Sequence, residues 1–246
     1  MSAVLERVSS QAWVPAWIRH QHIARYQWAS EHCRNRRVIE VACGTGYGAA
    51  ILSGGGAESV DGFDASEEAL REAQASPAVK NVAFRLGNAM HLPVANASYD
   101  LFLSLETIEH IEDDRAFLKE VARVLRPNGV FICSTPNRAM TNPGTTISQH
   151  PFNPYHLREY TQAELNGLLR PFFGQIEFFG QSAFGAQYQQ ALSTIGKRAP
   201  AFAVKLHQLR KLLGLPWENF QRHWPRPVTS TWEPEILLAL CSQPRS

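Results

Sequence analysis

Cysteine is scarce in this chain, with four residues (Cys33, Cys43, Cys133 and Cys241) and no Cys-x-x-Cys pair among them. That spacing excludes a cysteine zinc cluster and a disulfide framework. Reduced thiols in a cytoplasm are the simplest reading, so a cytoplasmic location is expected. Long apolar runs are also missing. No stretch of about eighteen apolar residues occurs, so no membrane span is expected. The first residues, MSAVLERVSSQAWVPAW, carry Glu6 and Arg7 early and lack the apolar core of a signal peptide. Charge of either sign is nearly balanced. A formal net charge of +2 is too small to argue for nucleic acid, and no nucleic-acid partner is expected. Repeats and low-complexity tracts are absent. What is present is ordinary globular composition: 44% hydrophobic and 19% charged over 246 residues. That is enough for one domain, 1–246, with a full core and room for an insertion.

The pattern along the chain alternates. Residues 15–33 read as a helix opened by Pro15 and carrying Ile18, Ile23, Tyr26 and Trp28. Arg37-Val-Ile-Glu-Val-Ala42 is an apolar run too short for a helix and closed by glycine, as a buried parallel strand would be. A helix follows through Leu52 and stops at Gly54-Gly55-Gly56. Residues 59–63 form a second strand, and Ser66 caps a helix through Ala73 with Glu67 and Glu68 in its first turn. Residues 82–86 and 99–104 give strands three and four, and 113–126 a helix with Phe117, Val121 and Val124 on one face. Arg126-Pro-Asn-Gly129 reads as a turn before a fifth strand, 130–134. Thr161-Gln-Ala-Glu164 is a capping-box pattern. Strands at 175–179 and 236–241 close the series, separated by far more residues than a hairpin needs. Alternation at this spacing predicts a doubly wound α/β fold: a seven-stranded Rossmann-like sheet, last strand antiparallel, with a helical insertion (183–235, helix at 201–213) before that strand.

The strongest chemical signal is Val38-Ile-Glu-Val-Ala-Cys-Gly-Thr-Gly-Tyr-Gly48. Glycines at a strand-to-helix turn let a ligand approach the backbone beside a helix N-terminus. Nicotinamide and flavin enzymes also use such loops, so the loop alone does not choose between them. Glu40 inside the first strand, the run Gly44-x-Gly46-x-Gly48, and Asp64 ending the second strand shift the balance, because Asp64 can accept hydrogen bonds from ribose hydroxyls.

These residues resemble motif I of the class I methyltransferases, with Ala42 standing where that motif usually has its first glycine. Gly87-Asn88-Ala89 is similar to the Gly-Asp-Ala that meets adenine in that family, with Asn88 keeping an acceptor and dropping a charge. Leu92-Pro-Val, Ser98-Tyr-Asp100, Arg123 to Gly129 and Ser134-Thr-Pro-Asn137 extend the resemblance across about residues 22–182. It implies S-adenosylmethionine as cofactor, bound by Tyr26, Glu40, Ala42, Cys43, Gly44, Gly46, Asp64, Ala65, Asn88, Ala89, Met90 and Leu105. His22-Ile-Ala-Arg-Tyr26 resembles the N-terminal helix that closes over the cofactor, so residues 1–34 are expected to act as a helical lid; the alternative is a helix that merely packs on the sheet.

Two further constellations follow. Glu106-Thr-Ile-Glu109-His110, if helical, brings two carboxylates and an imidazole near one face. The segment is similar to the Glu-x-x-Glu-His of ubiquinone-pathway O-methyltransferases, which implies magnesium at Glu106, Glu109 and His110. Glu-His also occurs in metal-free members, and there His110 serves as a general base or positions the acceptor, work suited to a pKa near 6.5. Gln149-His-Pro-Phe-Asn-Pro-Tyr-His-Leu-Arg-Glu-Tyr160 follows the fifth strand on the carboxyl edge, where open α/β sheets bind ligands. It resembles an element of sugar and natural-product methyltransferases and offers His150 and His156 as acceptor contacts, or Asn153 and His156 as loop braces.

In the insertion, Lys197, Arg198, Lys205, Arg210, Lys211, Arg222 and Arg226 outnumber the acids, opposite an apolar stripe of Phe202, Leu206, Leu209 and Leu213. A buried helix face, a lid, a homodimer surface and a site for an acidic or amphiphilic acceptor all account for that segment. The function expected is methyl transfer to a small-molecule acceptor, O-methylation before N- or C-methylation, with His110 and His156 as catalytic candidates. A nucleic-acid or protein methyltransferase and a non-catalytic nucleotide binder are the rival readings.

Overall fold

The computed structural model describes residues 16–77, 79–182, 224–230 and 232–245, with positions 195, 199 and 205 besides. Helix α1, Ala16–Ser30, leads through a turn into β1, Arg37–Val41. There follow α2 (Tyr47–Gly54), β2 (Ser59–Asp64), α3 (Glu67–Ala75), β3 (Val82–Leu86) and β4 (Tyr99–Leu105). A 3-10 turn at Ile108–His110 precedes α4 (Asp114–Val124), β5 (Leu125–Pro136) and the short α5 (Arg138–Thr141). Helix α6 (Gln162–Leu169), β6 (Phe173–Gln181), β7 (Arg226–Pro227) and β8 (Ile236–Pro244) complete the series.

Local signals hold most boundaries. The Ser66 hydroxyl accepts the Ala69 N–H at the head of α3, and Asp113 does the same for Ala116 at α4. Thr161 and Glu164 form the reciprocal capping box at α6. Each cap satisfies an amide that a helix start leaves open, worth about 1 kcal/mol.

The strands lie in the order β3-β2-β1-β4-β5-β8-β6-β7. β1 to β5 pair in parallel, and β8 runs antiparallel between β5 and β6. The sheet has eight strands where seven were expected. The extra one, β7, is a two-residue edge pairing of Arg226–Pro227 with Phe179 and Gly180. A pairing that short, with a proline in it, carries no periodic signal in the sequence. The turn expected at Arg126–Gly129 survives as a bulge inside β5, since Leu125 pairs with Tyr99 and Val130 with Leu101.

Both faces of the sheet are buried. Ile39, Val41, Phe63, Phe102, Phe131 and Leu237 point to the face covered by α4 and α6, where Phe117, Val121, Leu165 and Leu169 meet them. Val38, Val60, Leu101, Leu103, Ile132 and Leu238 face α1 and α2, packing on Trp28, Ala29, Ala49 and Leu52. Strands covered twice are apolar at successive positions, as the sequence runs are. All four cysteines are free and buried, Cys33, Cys133 and Cys241 in these layers and Cys43 in the loop after β1, and burial pushes the thiols of Cys33 and Cys133 up to about 12 and those of Cys43 and Cys241 well above the usual value.

Of the insertion, the described part follows β7 back to the sheet. Trp232 is buried, and the Arg226 guanidinium stacks over its ring at 3.9 Å. Lys205 is exposed. The helix expected at 201–213, most of 183–223 and residues 1–15 lie outside the described residues. Among those described, no helix is long and apolar enough to cross a membrane.

Candidate active site

Strand order reverses between β1 and β4, whose neighbours lie on opposite sides, so the loops after these two strands open a crevice at the carboxyl edge. The glycine loop after β1 fills one wall. Its backbone turns left-handed three times, at Ala42 (φ 62°), Gly44 (φ 55°) and Gly46 (φ 77°), the last being the N-cap of α2. Ala42 is the only one of the three with a side chain to accommodate, in a region where a Cβ costs about 1–2 kcal/mol. Asp64, at the end of β2, holds the loop: its carboxylate accepts the Gly44 N–H at 2.8 Å and the Ser66 N–H at 2.9 Å. A Cβ built on Gly44 would meet nothing within 4 Å, so the loop faces open space there.

Beneath the loop lies Glu40, 1% exposed. The Tyr26 hydroxyl, from α1, donates to its Oε1 at 2.6 Å, while Oε2 is buried with no partner. Burial raises the Glu40 carboxyl to about 7; the Tyr26 hydrogen bond pulls the other way, and the Asp64 charge adds to the rise. A Cβ on Gly48 would stand 2.2 Å from the Tyr26 ring and 2.7 Å from Glu40 Oε1, so only glycine lets this pair close. Tyr26, Glu40, Ala42, Cys43, Gly44, Gly46 and Asp64 are thus gathered at one corner. Ala65 is exposed beside Asp64. After β3, Asn88 Oδ1 accepts the Met90 N–H at 2.9 Å, and the Gly87 N–H reaches the Asp64 carbonyl at 3.0 Å, tying this loop to the same corner. Ala89 and Met90 pack against the core, and Leu105 is buried at the end of β4.

The other wall departs from expectation. Glu106, Glu109 and His110 do not stack on a helical face. Glu106 has φ 51° and lies ahead of a single 3-10 turn, Ile108–His110. The reason is a competing set of partners. Glu106 Oε1 takes the Arg25 guanidinium at 2.7 Å and the Ser134 hydroxyl at 2.6 Å, and the Glu106 N–H donates to the Ser134 carbonyl at 2.9 Å. Glu109 turns the opposite way, into the interior, where the Thr135 hydroxyl donates to Oε2 at 2.9 Å and Oε1 is left unpartnered. Burial first, then the Glu106 charge, raises its carboxyl well above the usual range.

What meets Glu109 and His110 is His156, so that donor atoms of the three lie within 4.8 Å of one another. The two imidazoles stand 4.9 Å apart, nearly perpendicular. Their tautomers follow from their partners. His110 Nδ1 lies 2.9 Å from the Tyr155 carbonyl, which only accepts, so Nδ1 carries the proton and Nε2 a lone pair. The Tyr155 N–H donates to Asn153 Oδ1, which orients the Asn153 amide so that Nδ2 donates to His156 Nε2 at 2.8 Å. His156 Nδ1 then donates to Glu159 at 2.6 Å. His150 stands apart, its Nδ1 on the Pro151 carbonyl. Sequence reading missed Arg25, Ser134, Thr135 and Glu159. Each lay inside a quoted segment, Arg25 in His22–Tyr26, Ser134 and Thr135 in Ser134–Asn137 and Glu159 in Gln149–Tyr160, without being singled out. The magnesium set does not form either: with Glu106 held by Arg25, one carboxylate and two imidazoles remain, whereas magnesium takes oxygen ligands.

A methyltransferase domain family matches residues 39–133. A probable S-adenosylmethionine-dependent methyltransferase of Mycolicibacterium smegmatis is 34% identical over 203 residues, covering 82% of this chain and 75% of that relative. The chain belongs to the S-adenosylmethionine-dependent methyltransferases. Within that family, a ubiquinone biosynthesis O-methyltransferase of Parvibaculum lavamentivorans is 34% identical over 106 residues, 42% of each chain. The crystal structure of a Thermotoga maritima methyltransferase, described as a possible histamine N-methyltransferase, matches with a TM-score of 0.62 over 93% of both chains. At 17% identity, that match establishes the methyltransferase fold alone. The cofactor of this methyltransferase is S-adenosylmethionine, and its glycine loop and Glu40 fit the group: an unpartnered buried carboxylate oxygen suits an ammonium, and Gly44 leaves room above the backbone.

Proposed function

We propose that this enzyme methylates a hydroxyl of a small organic acceptor, a phenol, sugar or related natural product. The observation that carries the cofactor half of the reading is the buried Glu40 Oε2, which lacks a partner beside a glycine loop. S-adenosylmethionine, when bound, supplies an electrophilic sulfonium methyl. Glu40 receives its ammonium, with Tyr26 steadying the carboxylate; Ala42, Cys43, Gly44 and Gly46 line the methionine end. Asp64 receives the ribose hydroxyls on the lone pairs its two amide bonds leave free. Ala65, Asn88, Ala89 and Met90 enclose adenine, and Leu105 the methyl side.

On the acceptor side, the lone pair left for a proton is that of His110 Nε2, because Nδ1 is committed to Tyr155. It would take the acceptor's proton as the acceptor oxygen received the methyl group, with the neutral thioether as leaving group. His156 braces the loop that supplies the Tyr155 carbonyl. Holding acceptor and methyl in line contributes much of the rate, so a strong base is not required. O-methylation is favoured by similarity to the ubiquinone-pathway relative. Residues 1–34 as a lid and 183–235 as an acceptor-selecting insertion belong to the same reading.

Calorimetric titration with S-adenosylmethionine and NADH tests the cofactor, and tritiated-methyl transfer to phenols, sugars and amines tests the acceptor. Transfer confined to amines overturns O-methylation. His110→Asn should lower kcat about a hundredfold with cofactor affinity unchanged; full activity removes His110 from the proton path.

A further inference from the structure

We propose that Glu109, His110 and His156 form a binding site for a divalent transition ion of the zinc type. The donor atoms already lie within 4.8 Å of one another. Ligands about 2.0–2.1 Å from a tetrahedral ion stand roughly 3.4 Å apart, so side-chain movement on the order of an ångström closes the set.

The stronger argument is what holds each residue from behind. Imidazoles that ligate a metal donate their other N–H to a carboxylate or a carbonyl, which fixes ring orientation and tautomer. Both forms occur here, His156 Nδ1 on the Glu159 carboxylate and His110 Nδ1 on the Tyr155 carbonyl. Glu109 is held the same way, through Oε2 by Thr135, and its other oxygen is buried without a partner. Each of the three side chains is therefore supported on one atom, which leaves His110 Nε2, His156 Nε2 and Glu109 Oε1 as the atoms that would hold the ion. Binding displaces the Asn153 amide from His156 Nε2.

The donor set chooses the ion. Two imidazoles and one carboxylate suit zinc, cobalt or iron, not magnesium. Three protein ligands leave a position of a tetrahedral ion open, as in zinc sites that bind water or substrate oxygen. A bound ion takes the His110 lone pair assigned above to the acceptor's proton, so the loaded site and the free base are alternative states of one cluster. The existence of the site does not depend on that assignment, because binding is measured without cofactor or acceptor.

The experiment uses the full chain without a histidine tag, stripped with EDTA and titrated with zinc against a chromophoric chelator. One equivalent should bind, and cobalt loading should give visible d–d absorption. Glu109→Gln, His110→Ala and His156→Ala should each weaken binding at least a hundredfold, while Glu106→Gln binds as the parent does. S-adenosylhomocysteine titration and circular dichroism report whether each variant folds. His110 is the least buried of the three, so His110→Ala decides if the others do not fold. Absence of stoichiometric zinc, or zinc binding unchanged by His110→Ala, overturns the site. So does displacement of zinc by millimolar magnesium. Any of these leaves S-adenosylhomocysteine binding intact, which separates failure here from failure of the methyltransferase reading.

Discussion

Glu40→Gln keeps the outline of a buried side chain and removes its ability to ionise. Burial lifts the Glu40 carboxyl from 4.5 to about 7. At about 1.4 kcal/mol per unit, charging it in the folded protein without a counter-ion costs about 3 kcal/mol. Its folded-state value is above the unfolded one, so the unfolded chain releases the proton first. Stability is therefore whole below pH 4.5, falls as pH rises towards 7, and levels off above it. Glutamine has no such slope. Its amide nitrogen stands where Oε2 was, buried without a partner at every pH, an offset of about 1–3 kcal/mol that is constant. The quantity to read is thus the difference between pH 5 and pH 8, obtained from urea unfolding without cofactor. The parent should lose roughly 2–3 kcal/mol more than the variant over that interval. Affinity moves in the opposite sense, because the ionised carboxylate receives an ammonium. Calorimetry with S-adenosylhomocysteine should show the parent binding more tightly from pH 6 to pH 8 and the variant lacking that gain. Parallel stability curves, or a pH-dependent affinity that survives the substitution, would refute the reasoning.

Two other substitutions follow from the same corner. Asp64→Ala removes the acceptor of the Gly44 and Ser66 amides and of the ribose hydroxyls; at about 1.5–3 kcal/mol per bond to a carboxylate, S-adenosylhomocysteine affinity should fall tenfold or more. An unchanged dissociation constant counts against that role. Ala42→Gly frees a left-handed residue and should raise stability by about 1 kcal/mol, seen as a higher urea midpoint at constant slope, whereas an equal or lower midpoint counters it.

Legibility in the sequence followed range. The caps at Ser66 and Thr161 and the acid ending β2 were readable because the partners sit two or three residues apart or at a strand end. The glycine loop was readable for the same reason. Glu106 was not. Its expected place beside Glu109 assumed a helix, and what decides its conformation is Arg25, eighty-one positions earlier, with Ser134 on the neighbouring strand. Helical offsets cannot report such a partner. His156 joining Glu109 and His110 depends likewise on where the loop after β5 folds back, tied by the Leu157 N–H to the Glu109 carbonyl at 2.8 Å. β7 escaped because two residues at an edge have no period.

The four buried thiols make the protein its own reporter of motion. At pH 8 a cysteine held at about 12 is thiolate only about one part in ten thousand, so a disulfide reagent reacts with it chiefly through opening. Each sulfur marks a different region: Cys33 follows the end of α1, Cys43 sits in the glycine loop, Cys133 in β5 and Cys241 in β8. Labelling rates at the four positions would rank those regions by opening free energy in the unmodified chain. Protection of Cys33 and Cys43 by S-adenosylhomocysteine, with Cys133 and Cys241 unchanged, would read out how far binding stiffens the corner without any engineered label.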